Sequence, residues 1–258
     1  MTFWNQISVA TNSVGRAISL FRNPKVSRYF LLPLVINALL LALVVWGSVV
    51  LGSFLVDNTL AYLGIDEGSW TGILAMIMAF IIRILVYLVY FIVYKYLILI
   101  VLSPFLSLLS EAVDHLESGK EFPFSWSQLA KDMGRSIVIN LRNFCYEMLL
   151  TLLLSLVAFI PLVGLVSPFV IIGVQAYFFG YAMMDYNAER YRFKSKDTNK
   201  WMRHHKWTVM AVGLIFYGSF LVPFIGWVVA PILGTAVGTL AFLKLEKEHP
   251  LPFIPRAF

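Results

Sequence analysis

The sequence predicts an all-α integral membrane protein: a single membrane domain over 1–258, with two long transmembrane helices, two re-entrant helical hairpins and amphipathic interfacial helices. Three observations carry this. The chain is 60% hydrophobic and only 13% charged, where a soluble domain has about 25% charged residues. Residues 29–56 hold no charge, enough for the ~20 residues that cross a bilayer. Two later runs, Met148–Met184 and Trp207–Leu243, each extend 37 residues without Lys, Arg, Asp, Glu or His. Both are interrupted in the middle, by Pro161, Gly164 and Pro168 in the first and by Pro223, Gly226 and Pro231 in the second.

Taken in order, residues 3–21 read as an amphipathic helix, with Phe3, Ile7, Ala10, Val14, Ala17 and Phe21 at helical spacing. Such a helix lies in the membrane interface or packs on the protein's own helices. Asn23-Pro24 is a cap followed by proline at the first helical position. It opens a long helix over 24–55. Between Leu31 and Leu51 stand fourteen Leu, Ile or Val, which together favour insertion by roughly 4 to 8 kcal/mol. Asp57–Ser69 reads as a polar loop, and a second long helix follows over 70–101. Ser103-Pro104 is another capped start. Its helix puts Phe105, Leu108, Leu109, Ala112 and Leu116 on one face, with Glu111, Asp114 and Glu117 elsewhere, and Gly119 stops it. In 125–147 the apolar stripe is Trp126, Leu129, Met133, Ile137, Leu141 and Phe144. Residues 103–147 are thus interfacial helices, and the tail with Pro250, Pro252 and Pro255 reads as loose.

The interrupted runs read as hairpins over 148–184 and 207–243. Met148–Ile160 has 13 residues, about 20 Å of helix, against a hydrocarbon core of about 30 Å. Without helix borrowed from the flanks, each arm is short for a full crossing. Ser167-Pro168 and Ala230-Pro231 are expected to restart a helix, as Ser103-Pro104 does. Irregular backbone at membrane depth is tolerated only where protein buries it or water reaches it, which points to a polar cavity or an oligomer.

Charge gives sidedness. The 57–70 loop has Asp57, Asp66 and Glu67 and no cation, while Lys and Arg gather before residue 29, in 120–142 and in 190–206. The positive-inside rule puts the basic segments and termini in the cytoplasm and the 57–70 loop outside. The net charge of +6 serves that orientation, and no nucleic acid partner is expected. No cleavable signal peptide is expected either, since the first cation is Arg16 and the first strong apolar run begins near Tyr29. The single Cys145 excludes an internal disulfide. No phosphate loop, metal-ligand spacing or nucleophile motif appears, so no cofactor, metal or catalytic residue is expected. His204-His205 reads as a solvated pair, and Asp185 and Glu189 as local ion pairs with Arg190 and Arg192.

Two positions suit an anion. A helix N-terminus offers free amides and partial positive charge. At 25–28 these combine with the Lys25 and Arg28 charges, the Val26 amide and the Ser27 hydroxyl, a nest fit for a sulfate-like oxyanion. The alternative is that Asn23 caps the amides and the cations anchor the helix to lipid headgroups. Arg83 lies mid-way along the second long helix, between uncharged Gly68–Ile82 and Ile84–Tyr94. A cation at that depth costs roughly 2.5 to 3.5 kcal/mol, so it needs a partner such as Glu147, hairpin carbonyls, or a wet path that an anion shares.

The strings "NPKVSRYFLLPLVIN" (23–37), "SPFLSLLSEAVDHLESG" (103–119), "FIPLVGLVSPF" (159–169), "GYAMMDYNAERYRFK" (180–194) and "VPFIGWVVAP" (222–231), in this order, resemble the CysZ family of bacterial sulfate permeases and the related etoposide-induced membrane proteins. The resemblance covers about 10–245. It implies two hemi-penetrating hairpins in a homo-oligomer of the bacterial inner membrane. The implied activity is sulfate entry for cysteine synthesis without ATP hydrolysis. The implied anion site is a Gly-hydrophobic-Arg-Arg stretch at the start of the first long helix. Here it corresponds to Lys25-Val26-Ser27-Arg28: Arg28 matches the second arginine, Ser27 replaces the first, and Lys25 replaces the glycine. The expected function is therefore a permease or channel for sulfate or a related oxyanion. The alternative is a non-transporting membrane scaffold of the same fold. A membrane enzyme lacks any catalytic constellation.

Overall fold

A computed structural model of the chain describes residues 1–63, 70–120, 126–157, 160 and 163–248, and every regular element among them is a helix. In order these are α1 (Phe3–Leu20), α2 (Pro24–Leu63), α3 (Trp70–Val101), α4 (Ser103–Ser118), α5 (Trp126–Val157), α6 (Val163–Arg190), α7 (Ser195–His204), α8 (Lys206–Phe220) and α9 (Ile225–Glu248). Among the described residues four stretches are long and apolar enough to cross a membrane: Leu31–Thr59, Ile137–Val157, Gly164–Arg190 and Ile225–Glu248. Three of them fall in the runs read as hairpins. The arms gain length from their flanks, as α5 does by running unbroken from Trp126 into the apolar run.

The chain divides into two compact units, Ile36–Ile98 and the remainder. The smaller unit is an antiparallel pair made by α2 and α3. The Tyr94 hydroxyl donates to Asn37 Oδ1 at 3.0 Å, and Gly47 leaves room for the Tyr90 ring. Ala75, Ala79 and Val86 of α3 and Ser48 and Val56 of α2 are buried. Leu39, Leu43, Met76 and Phe80 face outward, as lipid contact requires.

In the larger unit α6 is the central helix. It packs on α4, α5, α8 and α9, while α1 lies across α8 and α9. The tightest crossing is α6 on α8, where Gly180 meets the Val209 carbonyl and Gly213 meets that of Ala176. Only residues without a Cβ let two backbones approach this closely. Phe179 stacks on Phe216 beside the crossing, ring centroids 4.6 Å apart.

Several expectations change. The polar loop starts later, because α2 continues through Asp57 to Leu63. Asn58 Nδ2 and Thr59 Oγ1 donate to the carbonyls of Phe54 and Leu55, each at 2.7 Å, and these bonds suit a continuing helix. Residues 64–69 lie outside the described residues. Pro168 and Pro231 do not restart helices but sit inside α6 and α9. The Gly164 carbonyl, which Pro168 cannot serve, accepts the Ser167 hydroxyl at 3.2 Å instead. The second break falls at Leu221–Phe224, where Phe224 has φ 60° and the Gly226 amide donates to the Val222 carbonyl at 2.9 Å.

The inward faces also differ. Helix α1 is packed against protein through Gln6, Val9, Ala10, Ser13, Ala17 and Leu20, a face turned from the expected stripe. It is pinned there by polar bonds: the Trp207 amide donates to Gln6 Oε1 at 3.2 Å, and Thr208 Oγ1 to the Gln6 carbonyl at 2.8 Å. Helix α4 ends at Gly119 (φ 71°), but it buries Ser103, Leu106, Leu109, Ser110, Val113 and Asp114. In α5 the polarity is inverted. Ile137, Val138 and Leu141 are exposed, while Ile139, Asn143 and Glu147 are buried. Lipid is as apolar as a protein core, so an apolar stripe can face out while polar side chains seek protein partners. His205 is no solvated residue: it is 1% exposed and packs on Trp201, ring centroids 4.3 Å apart.

Candidate functional site

The expected anion nest sits at the first turn of α2, which begins at Pro24. The chain enters it through a tight corner in which the Asn23 amide donates to the Leu20 carbonyl at 3.0 Å. Lys25 and Val26 therefore sit in the first helical turn, where amides lack an acceptor four residues back, and Ser27 and Arg28 follow directly. Their side chains lie outside the described residues. Arg83 stands on the same stripe of α3 as Ala79 and Val86, yet it is exposed. Its stem crosses α2 at Gly52, where an added Cβ would stand 3.7 Å from Arg83 Cγ. Arg83 has no hydrogen-bond or ion-pair partner among the described residues.

The densest polar assembly lies in the larger unit, around the last turns of α6. Its first part joins α4, α6 and α9. Arg190 Nη1 donates to Asp114 Oδ2 at 3.0 Å and to the Ser110 carbonyl at 3.2 Å. Arg190 Nη2 reaches the Ser107 carbonyl at 3.1 Å. Asp114 Oδ1 accepts from Ser118 at 2.7 Å and from the Tyr191 hydroxyl at 3.4 Å. Deeper in, Thr239 donates to Ser110 Oγ at 2.9 Å, and Ser110 to Asn187 Oδ1 at 3.2 Å. This part is saturated. Removing one member of a buried ion pair costs about 3 to 5 kcal/mol, so Asp114 and Arg190 clamp α4 to α6. Burial raises the Glu111 carboxyl on the same helix above the usual range, with Arg190 pulling the other way.

The second part faces α5 and α7. Tyr181, Asp185 and Glu189 recur every fourth residue along α6, and Arg135 and Arg142 are seven apart on α5. Arg135 Nη2 reaches Asp185 Oδ1 at 3.3 Å and Thr198 Oγ1 at 3.1 Å, and Nη1 lies 3.7 Å from Glu189 Oε1. Arg142 Nη2 donates to Asn143 Oδ1 at 3.1 Å, Asn199 Oδ1 at 3.2 Å and Tyr181 Oη at 3.4 Å. The Tyr181 hydroxyl donates to Asn199 Oδ1 at 2.8 Å. The local pairing expected of Asp185 and Glu189 with Arg190 and Arg192 is thus replaced by pairing between helices. An α6 carboxylate points sideways to α5, whereas Arg190 turns to α4. The four- and seven-residue spacings on α6 and α5 were the available signal for these partners. Among the described residues no three His, Cys, Asp or Glu side chains converge to hold a metal.

Residues 13–231 match the family profile described as sulfate transporter CysZ/etoposide-induced protein 2.4. The chain is similar to the sulfate transporter CysZ of Pseudomonas paraeruginosa, 27% identical over 240 residues, with 92% of this chain and 96% of that one covered. The sulfate transporter CysZ of Pseudomonas aeruginosa is 26% identical over the same coverage. That of Pectobacterium atrosepticum is 24% identical over 219 residues, 84% of this chain and 77% of that one. With the profile spanning most of its length, the chain belongs to the sulfate transporter CysZ/etoposide-induced protein 2.4 family.

Proposed function

We propose that this chain is a permease of channel type for sulfate or a related oxyanion in the bacterial inner membrane, assembled as a homo-oligomer and supplying sulfate for cysteine synthesis. The observation that carries this reading is the family match over 13–231, together with relatives named sulfate transporter along nearly their whole length. The anion enters at the N-terminus of α2, on the amides and charges of Lys25–Arg28. Arg83 lowers the barrier at mid-depth. The α8–α9 hairpin penetrates part-way. Two features support that: α8 has 15 residues, about 22 Å of helix, and the turn residues Leu221, Val222, Phe224 and Ile225 are all exposed and apolar. The 57–70 loop is external and the basic segments are cytoplasmic, by the charge rule.

Purified protein in liposomes is the test. Radiolabelled sulfate should enter vesicles down its gradient, faster than in protein-free vesicles and without ATP. Vesicles that stay as tight to sulfate as empty ones would replace this reading with the scaffold.

A further inference from the structure

Three arginines reach into the α6 network, and their partners differ. Arg190 is matched by Asp114 and Arg135 by Asp185 and Glu189. Arg142 has no carboxylate within 4 Å among the described residues. It is held by three neutral oxygens, from Asn143, Tyr181 and Asn199, all on Nη2. Among the described residues its Nε and Nη1 make no hydrogen bond and are not among the buried unpartnered atoms, so single N–H donors stay open beside the occupied Nη2. Neutral acceptors thus fix its direction without neutralising its charge.

The surroundings add donors and charge. Asn143 is 6% exposed, and its Nδ2 is buried with no partner. It sits on the amide whose oxygen already binds Arg142. One turn beyond Asn199 on α7 stands exposed Arg203. Asp185 feels Arg142, but it is engaged by Arg135 at 3.3 Å. The free Nε and Nη1 donors can each give a charge-assisted hydrogen bond to an oxygen of a tetrahedral anion.

We propose that Arg142, with Asn143, Tyr181 and Asn199, forms a second oxyanion station where α5, α6 and α7 meet, taking a tetrahedral anionic group: free sulfate, or the phosphate of a lipid headgroup. For free sulfate the station rests on the permease reading and serves the same substrate away from the α2 N-terminus.

The test uses the full chain carrying Lys25→Gln and Arg28→Gln, so that the α2 turn does not mask the signal. Thermal unfolding is followed against sulfate in detergent, and against phosphatidic acid in nanodiscs. Three substitutions are added one at a time. Arg142→Gln removes the charge, Arg142→Lys keeps it, and Asn143→Asp sets a carboxylate against the guanidinium without changing shape. The expected result is a sulfate-dependent rise in melting temperature whose apparent affinity falls at least tenfold with Arg142→Gln and with Asn143→Asp. Arg142→Lys should retain part of it. Asn143→Asp without ligand should melt no lower than its parent, so a loss there is not misfolding. A rise given only by phosphatidic acid, and lost in the same two variants, supports the station with lipid as the source. A rise from either ligand that survives both variants, or no rise from either, overturns it. Sulfate-tight wild-type liposomes would sink the permease reading separately, leaving the station to be judged by binding alone.

Discussion

Substituting Gly213 by alanine tests the packing that holds α6 in place. A Cβ on Gly213 would run into the Ala176 carbonyl and its carbon, and would press on the Gly180 amide. All of these are backbone atoms, so no side chain can swing aside. Relief requires α6 and α8 to part by about 1 Å, which forfeits a large share of the dispersion energy of every atom pair across the crossing. The stacked rings of Phe179 and Phe216 would separate along with the two backbones. Overpacking a dense core costs about 1 to 3 kcal/mol, occasionally more, and a clash with rigid backbone belongs at the upper end, about 3 kcal/mol. At about 2 to 4 °C per kcal/mol for a chain of this size, the melting temperature should fall by roughly 6 to 12 °C. Gly218 on the same helix is the internal control, since nothing lies within 4 Å of its added Cβ. Gly218→Ala should leave stability unchanged or raise it by up to about 1 kcal/mol through helix propensity. Both variants are compared with wild type by size-exclusion chromatography after heating in detergent. Gly213→Ala melting within about 2 °C of wild type, or Gly218→Ala falling as far, would refute the close-crossing argument.

Other expectations concern the permease reading. Lys25→Gln with Arg28→Gln should weaken sulfate binding by more than tenfold in calorimetry and leave ligand-free melting nearly unchanged; unchanged binding would return both residues to headgroup anchoring. Arg83→Gln should cut liposome sulfate flux while Arg83→Lys keeps much of it. If Gln lowers only the melting temperature, Arg83 is structural and the path lies elsewhere. In a Cys145→Ser background, cysteines at Gly64 and Ser195 should react with impermeant reagents from opposite sides, Gly64 from outside. Reaction from the same side removes the proposed orientation.

The chemistry of helix ends was partly legible in the sequence. Pro24 opens α2 and Gly119 ends α4 as local residues predict, but Ser103 is not the cap it promised to be: Leu102 holds the N-cap position with no side-chain cap bond, and the Ser103 hydroxyl donates back to the Ile100 carbonyl at 2.9 Å. The uncharged runs were legible for a similar reason, because transfer into lipid is nearly additive along a helix.

What tertiary structure alone decided is which side of each helix faces protein. Ile137 and Leu141 promised a buried stripe on α5, and the structure turns that stripe outward while Asn143 and Glu147 go inside. In water an apolar face has one destination, the core; in a membrane it has two, core and lipid, and the periodicity is the same for both. The polar positions then carry the distinguishing information, but only as pairs. Arg190 finds Asp114 across 76 residues of chain, and Arg142 finds Asn199 across 57. The spacing near each residue marks a polar face but does not specify which distant partner meets it, because the meeting depends on Gly180 and Gly213 letting α6 and α8 approach and on α5 lying beside α6.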